Sequence, residues 1–139
     1  MNKTSVLALS LCALCVAPVH AWKTVSHFVS LPLIEGAGIY VCAKTLSDAE
    51  SVGSKAAAGV NLGLLAGNAA IGATTMFLPG EKREKLRTVH RVVAFAVTAA
   101  AIGLSVANTV DDNIHDTSTR PICYGYAGLT VVPIVLFSF

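Results

Sequence analysis

Lys55-Ala56-Ala57-Ala58-Gly59-Val60-Asn61-Leu62-Gly63-Leu64-Leu65-Ala66-Gly67-Asn68-Ala69-Ala70-Ile71-Gly72-Ala73-Thr74-Thr75-Met76-Phe77-Leu78-Pro79-Gly80-Glu81 carries charge only at its two ends. The 25 residues in between are enough to cross a hydrocarbon core about 30 Å thick as a helix rising about 1.5 Å per residue. Two further uncharged runs follow, residues 92–110 and 121–139. Three such runs in a chain of 139 residues imply an integral membrane protein.

Composition agrees. Hydrophobic residues make up 54% of the chain and charged residues 13%, against roughly 25% charged in soluble domains. The net charge of +2 and the lack of a recognition motif argue against nucleic acid as a partner. The connections are too short to fold alone, which leaves no room for a soluble catalytic domain. No nucleophile elbow, zinc-protease motif or phosphate-binding glycine loop occurs, so the expected protein is not an enzyme.

Residues 1–21 read as a secretory signal peptide. Lys3 gives a short basic start, residues 4–19 are mainly apolar, and Val19-His20-Ala21 suits cleavage before Trp22. The remainder, 22–139, reads as one all-α domain, a small polytopic bundle of about four helices with spans near 24–43, 56–78, 92–110 and 121–139. Pro32 is expected to kink the first span. Ser47 and Glu50 have capping-box spacing ahead of the second, and Pro79-Gly80 should end it. The charged stretch 81–91 reads as a connection that could extend the third helix, and Pro121 suits a first helical turn.

Orientation carries a conflict. Basic residues in 81–91 favour the cytoplasmic side, whereas a cleaved signal followed by four full spans puts that stretch outside. Either 24–43 is a re-entrant or surface helix broken near residues 32–38, or the charge rule is overridden by Glu81 and Glu84.

The packing code is the most explicit feature. Gly59, Gly63 and Gly67 repeat every four residues, which places them on one narrow face where backbones can approach closely in lipid. Ala99, Gly103 and Ala107 repeat that spacing in the third span. The expected arrangement is a tight hairpin through these faces, with a homo-oligomer through the glycines as the rival. Asn61 and Asn68 share a face roughly 150° away and should meet a polar partner, for which Glu35 is the candidate. Asn108 is expected at the membrane interface. Cys42 and Cys123 form either a disulfide or two buried thiols.

His27 and His90 begin the first and third spans, which run the same way in an up-down bundle, so the two imidazoles should share one level. Such a pair could hold b-type haem. The stretch Leu86-Arg87-Thr88-Val89-His90-Arg91-Val92-Val93-Ala94-Phe95 resembles the basic, histidine-containing helix starts of b-type membrane cytochromes. The remaining spans lack the deeper histidines of that family. The main expectation is a structural or accessory subunit in the lipid bilayer, without metal or cofactor, joined to itself or to a membrane complex through small-residue faces. The alternative is a redox or transport component using haem at His27/His90, or handling protons or cations at Glu35.

Overall fold

The computed structural model describes residues 19–115 and 117–137. Among these the chain is helical, in five elements: α1 (Val19–Asp48), α2 (Val52–Phe77), α3 (Gly80–Thr109), the single turn α4 (Asp112–His115) and α5 (Thr119–Phe137). Three helices are long and apolar enough to cross a membrane: α1 from Val25, α2 and α3. The signal segment expected at 1–21 lies outside the described residues apart from Val19-His20-Ala21, which open α1.

The helices run longer than the uncharged stretches alone suggest. Expected bounds of 24–43 and 92–110 become Val19–Asp48 and Gly80–Thr109. Pro32 lies within α1 without ending it. One continuous helix replaces the broken re-entrant segment considered for 24–43, and its packing against two other helices does not fit a surface helix. The capping-box reading at Ser47 is also corrected. Ser47 is still inside α1, and the cap of α2 is Ser51, whose hydroxyl oxygen accepts the Ser54 N–H at 3.0 Å. Residues 81–91 are helical and lengthen α3, the extension that the charged stretch allowed. Glu81–Lys85 and Glu84–Arg87 pair along the exposed surface at 2.7 Å each, supporting the first turns by a few tenths of a kcal/mol per pair. Arg83 Nε donates to the Leu78 carbonyl at 2.7 Å, and Gly80 takes φ +53, a left-handed conformation suited to glycine. Together they make the sharp turn from α2 to α3.

Four long helices close a ring in which α1 packs on α2, α2 on α3, α3 on α5, and α5 on α1. α1 and α3 therefore face each other across a diagonal. Ser54, Ala58, Asn61 and Leu65 form the buried face of α2, while Val97, Ala101, Leu104 and Asn108 bury one face of α3. Both series advance by four, three and four residues, the stripe of a helix seated in a bundle.

This corrects the expected glycine hairpin. Among the described residues, a side chain at Gly59, Gly63, Gly67 or Gly103 would meet no atom of another helix within 4 Å. Gly59, Gly63, Ala99 and Gly103 are exposed, with Gly67 and Ala107 half-buried. Of the two small-residue faces, only the Ala107 backbone joins the α2–α3 contact described here, its carbonyl accepting the Ser54 hydroxyl at 3.2 Å. The intimate glycine approach is elsewhere. A Cβ on Gly38 would stand 2.5 Å from Leu65 Cδ1 and 2.9 Å from the Tyr126 ring. At this point α1 closes on α2 and α5.

Polar side chains bind the helices together within the core. Tyr126 O–H donates to Asn61 Oδ1 at 2.8 Å, and Asn61 Nδ2 donates to the Val97 carbonyl at 3.4 Å. Asn108 is fully buried among the helices, its Nδ2 donating to Thr45 Oγ1 at 2.7 Å and to Cys123 Sγ at 3.0 Å. Cys42 and Cys123 are buried free thiols, so the disulfide alternative is not formed. Cys42 Sγ donates to Asn61 Oδ1 at 3.6 Å, which ties the two sulfurs to different asparagines.

The α1–α2 turn is held by Asp111, which follows α3. Its carboxylate accepts the Ser51 N–H at 3.0 Å and the Asn113 N–H at 3.2 Å. Burial pushes the Asp111 carboxyl up, but hydrogen bonds from Ser51, Ser54, Glu50 and Asn113 outweigh it and hold the group below its ordinary value.

Two predictions follow from this packing. Leu65→Ala empties a buried site and is expected to destabilise the protein by about 2–5 kcal/mol, whereas Gly63→Leu, placed on an open face, leaves the monomer's thermal midpoint in detergent nearly unchanged. Gly38→Ala should cost about 1–3 kcal/mol through overpacking. A Gly63→Leu variant less stable than Leu65→Ala would contradict the assignment of faces. For Asp111, a folded value below the unfolded one means its stabilisation is present above about pH 3.9 and is lost as pH falls through the folded value. The stability gap between wild type and Asp111→Asn, read by thermal melts across pH 6 to 2.5, is expected to close below about pH 4.

Candidate functional site

The core is tight where Gly38, Leu65 and Tyr126 meet and opens toward the end of the bundle that carries His27 and His90. There a cavity of about 550 Å³ lies among α1, α2, α3 and α5. Its size falls within the roughly 300–1,000 Å³ range of small-molecule sites. Each helix contributes from one stripe: Leu31, Ile34 and Glu35 from α1, Leu65 and Asn68 from α2, Ala94 and Thr98 from α3, Thr130 and Pro133 from α5.

His27 and His90 are together, as the up-down order implies. Their ring centroids are 6.1 Å apart with planes at 86°. His90 is seated against α2, because a Cβ on Gly72 would be 3.0 Å from its Cε1, 3.5 Å from Nδ1 and 3.6 Å from Nε2. Gly72 thus makes room for a ring that reaches across from α3. The pair has the proximity that bis-histidine iron ligation requires, but the nitrogen-bearing edge of His90 faces the α2 backbone. Among the described residues no group of three or more His, Cys, Asp or Glu could hold a metal ion.

Glu35 and Asn68 line the same cavity, yet Glu35 Oε1 and Asn68 Oδ1 are both buried without a hydrogen-bond partner among the described residues. The pairing of Glu35 with Asn61 does not form either, because Asn61 is engaged by Tyr126, Cys42 and the Val97 carbonyl. His90 Nδ1 is a third unpartnered atom, and the remaining one in the described structure is Asn108 Oδ1, in the core. Three of four orphaned buried polar atoms therefore belong to residues around one cavity. Other polar groups there are satisfied: the Thr98 hydroxyl donates to the Ala94 and Thr130 carbonyls, each at 3.2 Å, and that of Thr130 to the Ala127 carbonyl at 2.7 Å.

Arg87 and Arg91 complete the lining. They lie four residues apart on α3 and so share a face. Sequence reasoning treated them as loop charges and missed their place at the site. The available signal was their spacing from His90 on a helix running on from the charged stretch.

No protein-family model, curated protein or solved structure matches the chain.

The cavity gives Glu35 a testable signature. Glu35→Gln is expected to keep the fold, because an amide replaces a carboxyl group in shape and hydrogen bonding. Glu35→Lys puts a long cation into a cavity that already has two arginines, at a depth where lipid cannot solvate it. Loss of detergent-stable protein for the lysine variant but not the glutamine variant is expected in size-exclusion profiles. Equal recovery of both would place Glu35 in contact with water.

Proposed function

We propose that this is an exported integral membrane protein of four spanning helices whose work is binding rather than catalysis. It holds a small amphipathic molecule in the cavity at the histidine end of the bundle. The observation that carries this reading is the set of unpartnered atoms, Glu35 Oε1, Asn68 Oδ1 and His90 Nδ1, around one space of about 550 Å³. A buried polar group without a partner costs about 1–3 kcal/mol, and three on one cavity concentrate that cost where an incoming molecule can offset it. The apolar remainder of the lining, including Leu31, Ile34, Phe95 and Ile134, suits a hydrocarbon portion.

Native mass spectrometry of the detergent-extracted protein tests this. Wild type is expected to retain a small-molecule adduct that Asn68→Leu, which fills the space and removes the orphaned amide, loses. A wild type free of adduct, with a thermal midpoint no lower than that of Asn68→Leu, would overturn the proposal. A Soret band with two-histidine character would reassign the site to haem at His27 and His90.

A second reading, an accessory subunit, has its own support. Glycine in a helix costs about 1 kcal/mol relative to alanine, and Gly59, Gly63 and Gly67 obtain no close contact among the described residues in return. Contact with a second membrane helix is what this spacing offers. Cross-linking in bilayers distinguishes it: Gly63→Leu should abolish an oligomer while leaving the adduct in place.

A further inference from the structure

Arg87 and Arg91 line the cavity beside its apolar residues. They stand one turn apart on α3 and share a face. Both acids of the charged stretch 81–91 are already engaged, Glu81 by Lys85 and Glu84 by Arg87, each at 2.7 Å. Arg91 forms no ion pair among the described residues. Five basic side chains against two acidic ones leave this stretch with a surplus of three positive charges.

The cavity has two zones along the bundle axis. Arg91 is the last charge before residues 92–110, an uncharged run of 19 residues. As a helix that run is about 28 Å long, close to the hydrocarbon core at about 30 Å. The Arg91 guanidinium therefore belongs at the boundary of the hydrocarbon. Ala94, Phe95 and Thr98 line the cavity about one to two turns deeper on the same helix. Phe95 is 52% exposed, so the apolar wall of the cavity is continuous with the outer surface of the bundle at that depth. Glu35, the acid of the lining, stands inward. α1 and α3 run in the same direction with His27 beside His90, so Glu35, eight residues on from His27, is level with Thr98 and about 10 Å inward of Arg91. The arginines lie at the outer end alone, and an anionic group is favoured there.

Resting on the binding reading above, we infer that the occupant of the cavity is a phospholipid of net negative charge, with its phosphate on Arg91 and Arg87 at the mouth and an acyl chain against Leu31, Ile34, Phe95 and Ile134. A phosphodiester has two non-bridging oxygens that accept N–H groups from both guanidinium forks. The boundary depth of Arg91 is where a bilayer holds its phosphates, and the apolar residues begin where its chains begin. A zwitterionic lipid has the same phosphate but brings a cation to a mouth that already has a surplus of positive charge. A soluble phosphate ester has no hydrocarbon to offer the deeper lining.

Native mass spectrometry tests this on full-length protein released from nanodiscs of equal phosphatidylglycerol and phosphatidylcholine with the same acyl chains. Phosphatidylglycerol is expected to be retained about tenfold over phosphatidylcholine. Arg91→Gln is expected to bring the two near parity, and Arg87→Gln to reduce the preference in part. Lys82→Gln removes the same charge from the same stretch, but nine residues before Arg91 it lies on the opposite face of α3 and away from the cavity. It is expected to leave the preference unchanged. Glycerophosphoglycerol, the same headgroup without chains, is expected not to displace the lipid. Equal retention of the two lipids in wild type overturns the inference and leaves a binding cavity for another ligand. So does a Lys82→Gln effect as large as that of Arg91→Gln, which would make the preference one of surface charge. Displacement by glycerophosphoglycerol overturns the assignment to a lipid. Wild type that retains neither lipid and carries no other adduct overturns the cavity reading as well.

Discussion

The hydrogen bond from Tyr126 to Asn61, 2.8 Å long and fully buried, is the contact on which the arrangement of the bundle turns. It joins α5 to α2 across a diagonal. Asn61 then reaches α3 through the Val97 carbonyl and α1 through Cys42, so one amide touches all four long helices. In lipid, apolar side chains gain little by leaving the solvent for the bundle, and interhelical polar contacts of this kind decide which faces meet. Tyr126 is also the wall against which Gly38 brings α1. With the middle of the bundle closed at this level, space is left at the histidine end.

The sequence made the helical, membrane-type architecture legible because charge is excluded over such long runs, and that exclusion does not depend on knowing the neighbours. It also pointed to the right inward residues on α2, since Asn61 and Asn68 cannot both be left to lipid without cost. It misjudged the glycines. The spacing of Gly59, Gly63 and Gly67 reports that a close approach is possible, not that this chain supplies the partner. The turn through Leu78 and Pro79 sets α2 on α3 so that Asn61 and Leu65 face inward and the glycines face out. Gly38 and Gly72, which do make room for neighbours, stand outside that spacing, and their role depends on Tyr126, Leu65 and His90 arriving from other helices.

The candidate site was legible in parts that did not obviously belong together. An acid within a span, two histidines at one level and an asparagine facing inward are each visible in the sequence. Their convergence on one cavity requires the ring order of the helices, with α1 and α3 on a diagonal. Arg87 and Arg91 were hidden for a different reason. A charged stretch between two apolar runs reads as a connection that could extend the next helix, but its charges carry no sign of facing a cavity until the other helices are in place around Arg87 and Arg91.

The length of α3 has a further consequence. Thirty residues make a rod of about 45 Å, about 15 Å more than a hydrocarbon core. The surplus is about ten residues, nearly three turns, and it bears Glu81, Lys82, Arg83, Glu84, Lys85 and Arg87; in the bilayer proposed above it would stand in the headgroup layer. Lipid phosphates and the guanidinium groups of Arg87 and Arg91 would then occupy the same plane. On that placement the membrane surface itself would form one wall of the cavity's entrance, and the composition of that leaflet would set the concentration of whatever stands at the door.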